Sequence, residues 1–348
     1  MLKKFVVLLF LLAFSISGCS KPLTFWHIEQ RATVWWLVSP DNTPQFLTGV
    51  TTVQPFLPAK RGPSYHSADF SGNIDDWATK TASRIHEFGF THAGAWSNAA
   101  LRPYTPYTLD LNILASCKLP ISDQGWTAEA EGLVKYKVSP LANDQHLIGY
   151  FTDNELDWNM LAPYASKYFT TIEQAIHLYD SHHLILGVRF NRLPPDSVLE
   201  ASRGHVDVHS FNLYSNAPQS SITLLEAAYA KTGIPTFLSE FSFYSSDNSS
   251  GNMNTSGFGG EVINQQARAD AYRKVIANMA GTSYCVGTEW FQFSDEPPQG
   301  RPDGEDCNFG VVSIHDDPYL LLVTAVQESG NVATAIHKNS ISHTMSLH

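Results

Sequence analysis

The chain has 348 residues, of which 43% are hydrophobic and 12% aromatic. That is enough apolar side chain for a large core, and it excludes intrinsic disorder as the main state. Charged residues make up only 16%, and 22 basic against 33 acidic side chains give a formal charge of -11, which argues against a phosphate-backbone partner such as nucleic acid. Four cysteines are too few for a disulfide scaffold at this length.

Lys3 and Lys4 precede an apolar run from Phe5 to Phe14, long enough for a signal-peptide core and too short to span a bilayer. The run ends in Ile16-Ser17-Gly18-Cys19, and small residues directly before a cysteine resemble the bacterial lipoprotein cleavage box. The resemblance implies a signal peptide over 1–18, a lipidated Cys19, a tether over 19–33 and, with Ser20 following the cysteine, an outer-membrane address in a bacterial cell envelope. Attachment to the membrane is expected through this lipid anchor alone. Cys117, Cys285 and Cys307 remain. Either one pair is bridged, with Cys285–Cys307 the shortest link, or all are free thiols.

Val34 to Val38 reads as a strand in a short N-terminal β-hairpin, Ser39-Pro40-Asp41-Asn42 as a turn, and Phe46 to Thr51 as the next strand, the first of the barrel count. Ile74 to Phe88 carries apolar residues at helical spacing behind Asp75 and Asp76. Further strands are expected at Phe90–Trp96, Leu147–Thr152, Leu184–Phe190, Val206–Leu213, Pro235–Phe241 and Tyr284–Phe293. Helices are expected at 164–179, 196–201, 222–231, 262–280 and 319–328. An additional strand is sought in 107–121, with Leu109–Leu114 the best candidate, and 122–145 reads as too short and Gly-bearing for a full helix. This alternation predicts an α/β fold, a single (β/α)8 TIM barrel over 34–330 with a C-terminal tail over 331–348. A doubly wound open sheet is the alternative, weakened by the lack of a G-x-G-x-x-G after the first strand.

Barrel enzymes place their chemistry where strands end. Two apolar runs end in carboxylates: 147–152 leads into Asp153-Asn154-Glu155, and 234–239 leads into Glu240. A carboxylate at the end of a buried strand is costly unless it has partners or a task. Glu155 and Glu240 lie about three βα units apart, at the ends of strands four and seven.

Two such glutamates, the first preceded by asparagine, resemble the large clan of retaining β-glycoside hydrolases. Trp35 to Asp41 (WWLVSPD) with 46–50 (FLTGV), 147–156 (LIGYFTDNEL), 295–306 (DEPPQGRPDGED), Asn308 to Val312 and Asp316 to Tyr319 are similar to agarase-like members. The resemblance implies Glu155 as acid/base, Glu240 as nucleophile, Asn154 on the sugar 2-hydroxyl and Tyr214 as hydrogen-bond donor to the nucleophile. The implied substrate is a β-linked, galactan- or agarose-like polysaccharide or oligosaccharide, cleaved by double displacement without a cofactor.

Trp290 is expected to form a sugar platform, with Glu289 a rival carboxylate, because only one of two neighbours in a strand points inward. Trp96, Asn98, Arg189 and Asn191 are candidate subsite residues, each equally readable as structural, and His209 either lines the site or is a buried, satisfied histidine. The polar segment 245–260 is expected to be a mobile loop at the rim. The 14 histidines show no paired ligand spacing, so no metal site is expected. Two other readings stand beside the first: another β-glycanase specificity on the same barrel, or a carbohydrate-binding lipoprotein without turnover.

Overall fold

A computed structural model describes residues 24–215 and 218–340. The expected signal peptide and Cys19 lie outside the described residues.

Eight parallel strands close into a barrel: β1 (Leu47–Val50), β2 (His92–Ala93), β3 (Tyr107–Asp110), β4 (Leu147–Asn154), β5 (Leu184–Phe190), β6 (His209–Asn212), β7 (Thr236–Phe241) and β8 (Cys285–Trp290). They pair in chain order, and β8 returns to β1 with Glu289 opposite Gly49 and Trp290 opposite Val50. Helices α1 (Ile74–Glu87), α2 (Trp126–Val138), α3 (Ala165–Tyr179), α4 (Asp196–Ser202), α5 (Pro218–Thr232), α6 (Gln265–Ala280) and α7 (Leu320–Lys338) flank the strands. This is the expected (β/α)8 TIM barrel.

Each helix buries one stripe against the outside of the strands. In α1 the stripe is Trp77, Ala78, Thr81, Ala82 and Ile85, and Asn73 caps the first turn by accepting from the Asp75 and Asp76 amides. The barrel interior is a separate apolar cluster that includes Leu47, Ile148, Phe151, Leu186, Val208, Phe237 and Val286. Leu37 joins this cluster from a three-stranded antiparallel sheet, His27–Arg31, Val34–Val38 and Pro44–Gln45. The Trp35 amide donates to the Ser283 carbonyl just before β8, so this sheet packs at the end where the strands begin. The mouth at the opposite end, where βα loops emerge, is left for a site.

Four expectations need correction. The third strand lies at Tyr107–Asp110 rather than Leu109–Leu114, because Asp110 accepts from the Asn112 amide and Asn112 turns at φ 47 into a short helix, Ile113–Ser116. Segment 122–145 contains the full helix α2, whose buried face is Trp126, Ala130, Val134 and Val138, one residue per turn, too narrow a stripe to stand out in the sequence. Residues 331–338 belong to α7 rather than to a tail. His337 packs 4.7 Å from Trp36 and 5.2 Å from Phe46, and its ring lies 2.7 Å from the Trp35 carbonyl. At the other end the strand His27–Arg31 lies inside the expected tether.

Candidate active site

The mouth opens into a cavity of about 770 Å³ lined by Glu155, Glu240, Asn154, Asn212, Tyr214, Trp96 and Thr52, with Asn191, Arg192, Phe258, Phe291, Arg301 and Glu305 further out. The two glutamates singled out from sequence therefore share one space. Local backbone explains how each gets there. Successive strand residues face opposite sides, yet Asn154 and Glu155 both line the cavity. The strand ends at Asn154, and Glu155 takes the left-handed conformation (φ 49) with its amide bonded to the Arg189 carbonyl at 2.9 Å. Thr52 and Trp96 also line the cavity at positive φ, 54 and 65. On β7 the register slips between the pairs Phe211–Leu238 and Asn212–Glu240, an irregularity that re-aims the side chains beyond it. On β5 Gly187 (φ 71) sits at such a slip and precedes Arg189, which turns into the interior.

The carboxyls have unequal surroundings. Glu240 is buried, with Arg189 Nη2 2.7 Å from one oxygen and the Tyr214 hydroxyl donating to the other at 2.6 Å. Burial pushes its carboxyl above the usual range, while Arg189 and Tyr214 pull it down and Glu155 pushes it up. Burial and Glu240 raise the Tyr214 phenol well above its ordinary range, so it remains a donor. Glu155 is exposed to the cavity. It accepts from Asn212 Nδ2 at 2.9 Å on one oxygen and from Asn191 Nδ2 at 3.4 Å on the other.

Asn154 and Arg189 join the two carboxyls. Asn154 Oδ1 accepts from Arg189 Nη1 (3.2 Å) and Asn212 Nδ2 (2.9 Å), which leaves its Nδ2 donors for a ligand. Arg189 is fully buried and lies 5.6 Å from the Trp96 ring and 5.1 Å from the Phe151 ring. Burial works against its charge, but Glu240, Asp110 and Glu289 outweigh that and hold it protonated.

The outer wall comes from the loop after β8. Arg301 stacks over Phe291 at 5.5 Å and pairs with Glu305 (2.8 Å), Asp303 (2.6 Å) and Glu296 (3.4 Å). Burial pushes the Glu296 carboxyl up to about 9, with Arg301 pulling it down and Glu305 pushing it up. Beyond Trp96, Thr52 and Arg301 the cavity adjoins a second chamber of about 510 Å³, walled by Phe56, Leu57, Pro58, Pro297 and Pro302. The expected mobile loop is tied down: Thr255 and Ser256 donate to Asp306, and Asn252 donates to the Glu296 and Asp306 carbonyls. Its Phe258 is the exposed ring at the rim.

Three expected binding residues are absent from the cavity lining: Arg189, fully buried against Glu240, and Trp290 and Asn98. Trp290 points away from the cavity into the layer between β8 and α6. It is fully buried among Phe241, Tyr272 and Arg268, and its Nε1 donates to the Phe309 carbonyl. The inward place belongs to Glu289, which accepts from Thr108 Oγ1 (2.6 Å) and the Ala95 amide (3.3 Å) and meets His92 Nε2 at 3.0 Å. Asn98 caps the turn Ala99–Leu101 and donates to Gln54, lining a smaller neighbouring cavity. His209 lies outside the site, paired with Ser202 at 2.8 Å, and burial lowers it to about 4. Cys117, Cys285 and Cys307 are free thiols. Sequence reasoning missed Asn212, whose signal was its place at the end of β6, two residues before Tyr214. It also missed the Arg301 wall, which sits in a block noticed only as a likeness.

No family model matches the chain. Over 175 residues, 49% of its length, the chain is 34% identical to β-agarase B of Vibrio sp. (strain JT0107). Over 191 residues, 52% of its length, it is 33% identical to β-agarase A of the same organism. It spans only 17% and 18% of those two proteins. Among solved structures, an exo-β-agarase matches at TM-score 0.78 and 18% identity over 91% of this chain and 66% of its own. A second agarase matches at 0.77 and 21% identity over 92% and 65%. At these identities the structural likeness is one of fold.

Proposed function

We propose that this chain is a retaining β-glycoside hydrolase that cleaves an agarose-like galactan by double displacement. The observation that carries the reading is the pair Glu155 and Glu240 in one cavity, one carboxyl exposed and amide-bonded, the other buried and clamped by Arg189 and Tyr214. Glu155 gives its proton to the leaving oxygen while Glu240 attacks the anomeric carbon. Water, deprotonated by Glu155, then releases the sugar. Asn154 Nδ2 bonds the 2-hydroxyl, a contact that strengthens in the transition state. Trp96, Phe291 and Phe258 offer rings to the apolar faces of neutral sugars. The similarity to the two Vibrio β-agarases supports the substrate class.

Azide rescue tests the division of labour. Glu155→Ala should still be glycosylated by a substrate with a good leaving group, and azide should give the β-glycosyl azide. Glu240→Ala should be inactive toward water and should yield the α-azide. Proton NMR assigns the anomer; swapped anomers exchange the roles, and unimpaired hydrolysis in both variants removes the mechanism.

We also infer a bacterial envelope location through a lipidated Cys19, from the small residues that end the leading apolar run. In Cys19→Ala, lipid labelling should vanish and the chain should be left uncleaved or be released without lipid; a variant that still partitions with membranes through a lipid refutes the anchor.

A further inference from the structure

Arg189 is a fully buried cation between two carboxylates. Its Nη2 is 2.7 Å from Glu240, and its Nη1 is 3.8 Å from Asp110 Oδ2 at the end of β3. The Asp110 side chain is 1% exposed. One of its oxygens accepts from the Asn112 amide, and Oδ2, facing Arg189, has no hydrogen-bond partner among the described residues. The proposed mechanism does not use Asp110, and one resting cation does not need two buried anions.

The need arises during the reaction. As a Glu240 oxygen forms its bond to the anomeric carbon, the glycosidic bond breaks with its electron pair on the leaving oxygen, which takes the Glu155 proton. The negative charge thus passes from Glu240 to Glu155. Arg189 would then lose the anion it pairs with most closely, while Glu289 is engaged by Thr108, His92 and the Ala95 amide, and an under-compensated buried charge is strongly unfavourable.

We propose that Asp110 is the counter-ion that stays with Arg189 when Glu240 is esterified, so that the guanidinium keeps an anion throughout the double displacement. This rests on the glycosidase reading above, and Asp110 is a positioning residue that acts through Arg189. The groups that face it are Arg189 from β5, Asp153 from β4, Glu240 from β7 and the Tyr168 phenol from α3. Burial pushes the Asp110 carboxyl up to about 7, Arg189 pulls it down, and Asp153 and Glu240 push it up. Loss of the Glu240 charge removes one of the pressures against its ionisation. Asp110 also lines a cavity of about 120 Å³ with Ser97, Asn98 and Arg102, room for water to take the proton.

The test traps the glycosyl-enzyme in the full chain. The probe is the 2-deoxy-2-fluoro glycosyl fluoride of the disaccharide that the wild type releases from agarose. Mass spectrometry follows labelling, and recovery of activity follows reactivation. In Asp110→Asn the intermediate is left without either neighbouring carboxylate on Arg189, while the free enzyme keeps Glu240. Labelling should therefore slow and reactivation should quicken, each by ~10-fold at pH 8, with a smaller difference at pH 5, where the wild-type Asp110 is itself more protonated. Asp110→Glu, which keeps an ionisable group, should reactivate near the wild-type rate, and it carries the test if Asp110→Asn does not fold. Equal slowing of both steps, or wild-type rates in Asp110→Asn, overturns the proposal, as does fast reactivation of Asp110→Glu. Failure of the wild type to release sugar from agarose removes the parent reading and this one with it.

Discussion

Tyr214→Phe isolates the charge on Glu240. Burial drives the Glu240 carboxyl toward the protonated form, which cannot attack, and the Tyr214 hydroxyl at 2.6 Å opposes it. A hydrogen bond to an ionised group contributes about 1.5–3 kcal/mol. The substitution removes only the oxygen. The ring keeps its edge contact with Phe291 at 6.3 Å and its neighbour Phe309 at 6.4 Å, so the cavity wall should persist. A donor favours the charged carboxylate, so its loss moves the acid limb of kcat/KM to higher pH. At about 1.36 kcal/mol per factor of ten, activity below the limb should fall roughly 10- to 150-fold. Above the limb, where Glu240 is ionised with or without the hydroxyl, kcat/KM should change far less. Initial rates of reducing-sugar release from agarose oligosaccharides, taken from about pH 4 to 9, measure both regions. A uniform loss at every pH, with the limb unmoved, would mean that Tyr214 shapes the cavity and does not hold the charge, and the argument from Glu240 burial would go with it.

Gly187→Ala should destabilise the fold by about 1–3 kcal/mol, because the position has φ 71 and a Cβ there falls 2.9 Å from the Val208 carbonyl oxygen. Urea denaturation measures the loss, and an unchanged midpoint would show that the turn before Arg189 does not require glycine. Phe258→Ala should leave the thermal midpoint unchanged and raise KM for long agarose fragments about 2- to 12-fold through loss of ring contact, with kcat retained. A fall in kcat at constant KM would place the ring in the chemistry instead of in binding.

What could be read from the sequence, and what could not, divides along one physical line. Long-period signals survived. The alternation of apolar runs and helical stripes located the barrel, and the spacing of Glu155 and Glu240 put both at its mouth because βα units have a nearly constant length. Short-period signals failed wherever the backbone broke its own alternation. Parity allowed only one of Glu289 and Trp290 to face inward, and the indole's suitability as a sugar platform suggested the wrong one. Phe151 and Phe237 belong to the apolar filling of the interior, and the inward place at 289 is one for a carboxylate among Thr108, His92 and the Ala95 amide. Parity would likewise have turned either Asn154 or Glu155 outward, and only the left-handed residue at 155 gives both to the cavity. Arg189 reaches Glu240 because the register slips at Gly187, a change no apolar pattern records. Glu155 is itself one departure, and Gly187 lies two residues before Arg189, whose carbonyl accepts the Glu155 amide and whose guanidinium pairs with Glu240. The same irregularities that hide the site from pattern reading bring one cation between Glu240 and Asp110. Three of the left-handed non-glycine residues, Thr52, Trp96 and Glu155, line that one cavity, so unusual backbone goes with the residues that pattern reading could not orient.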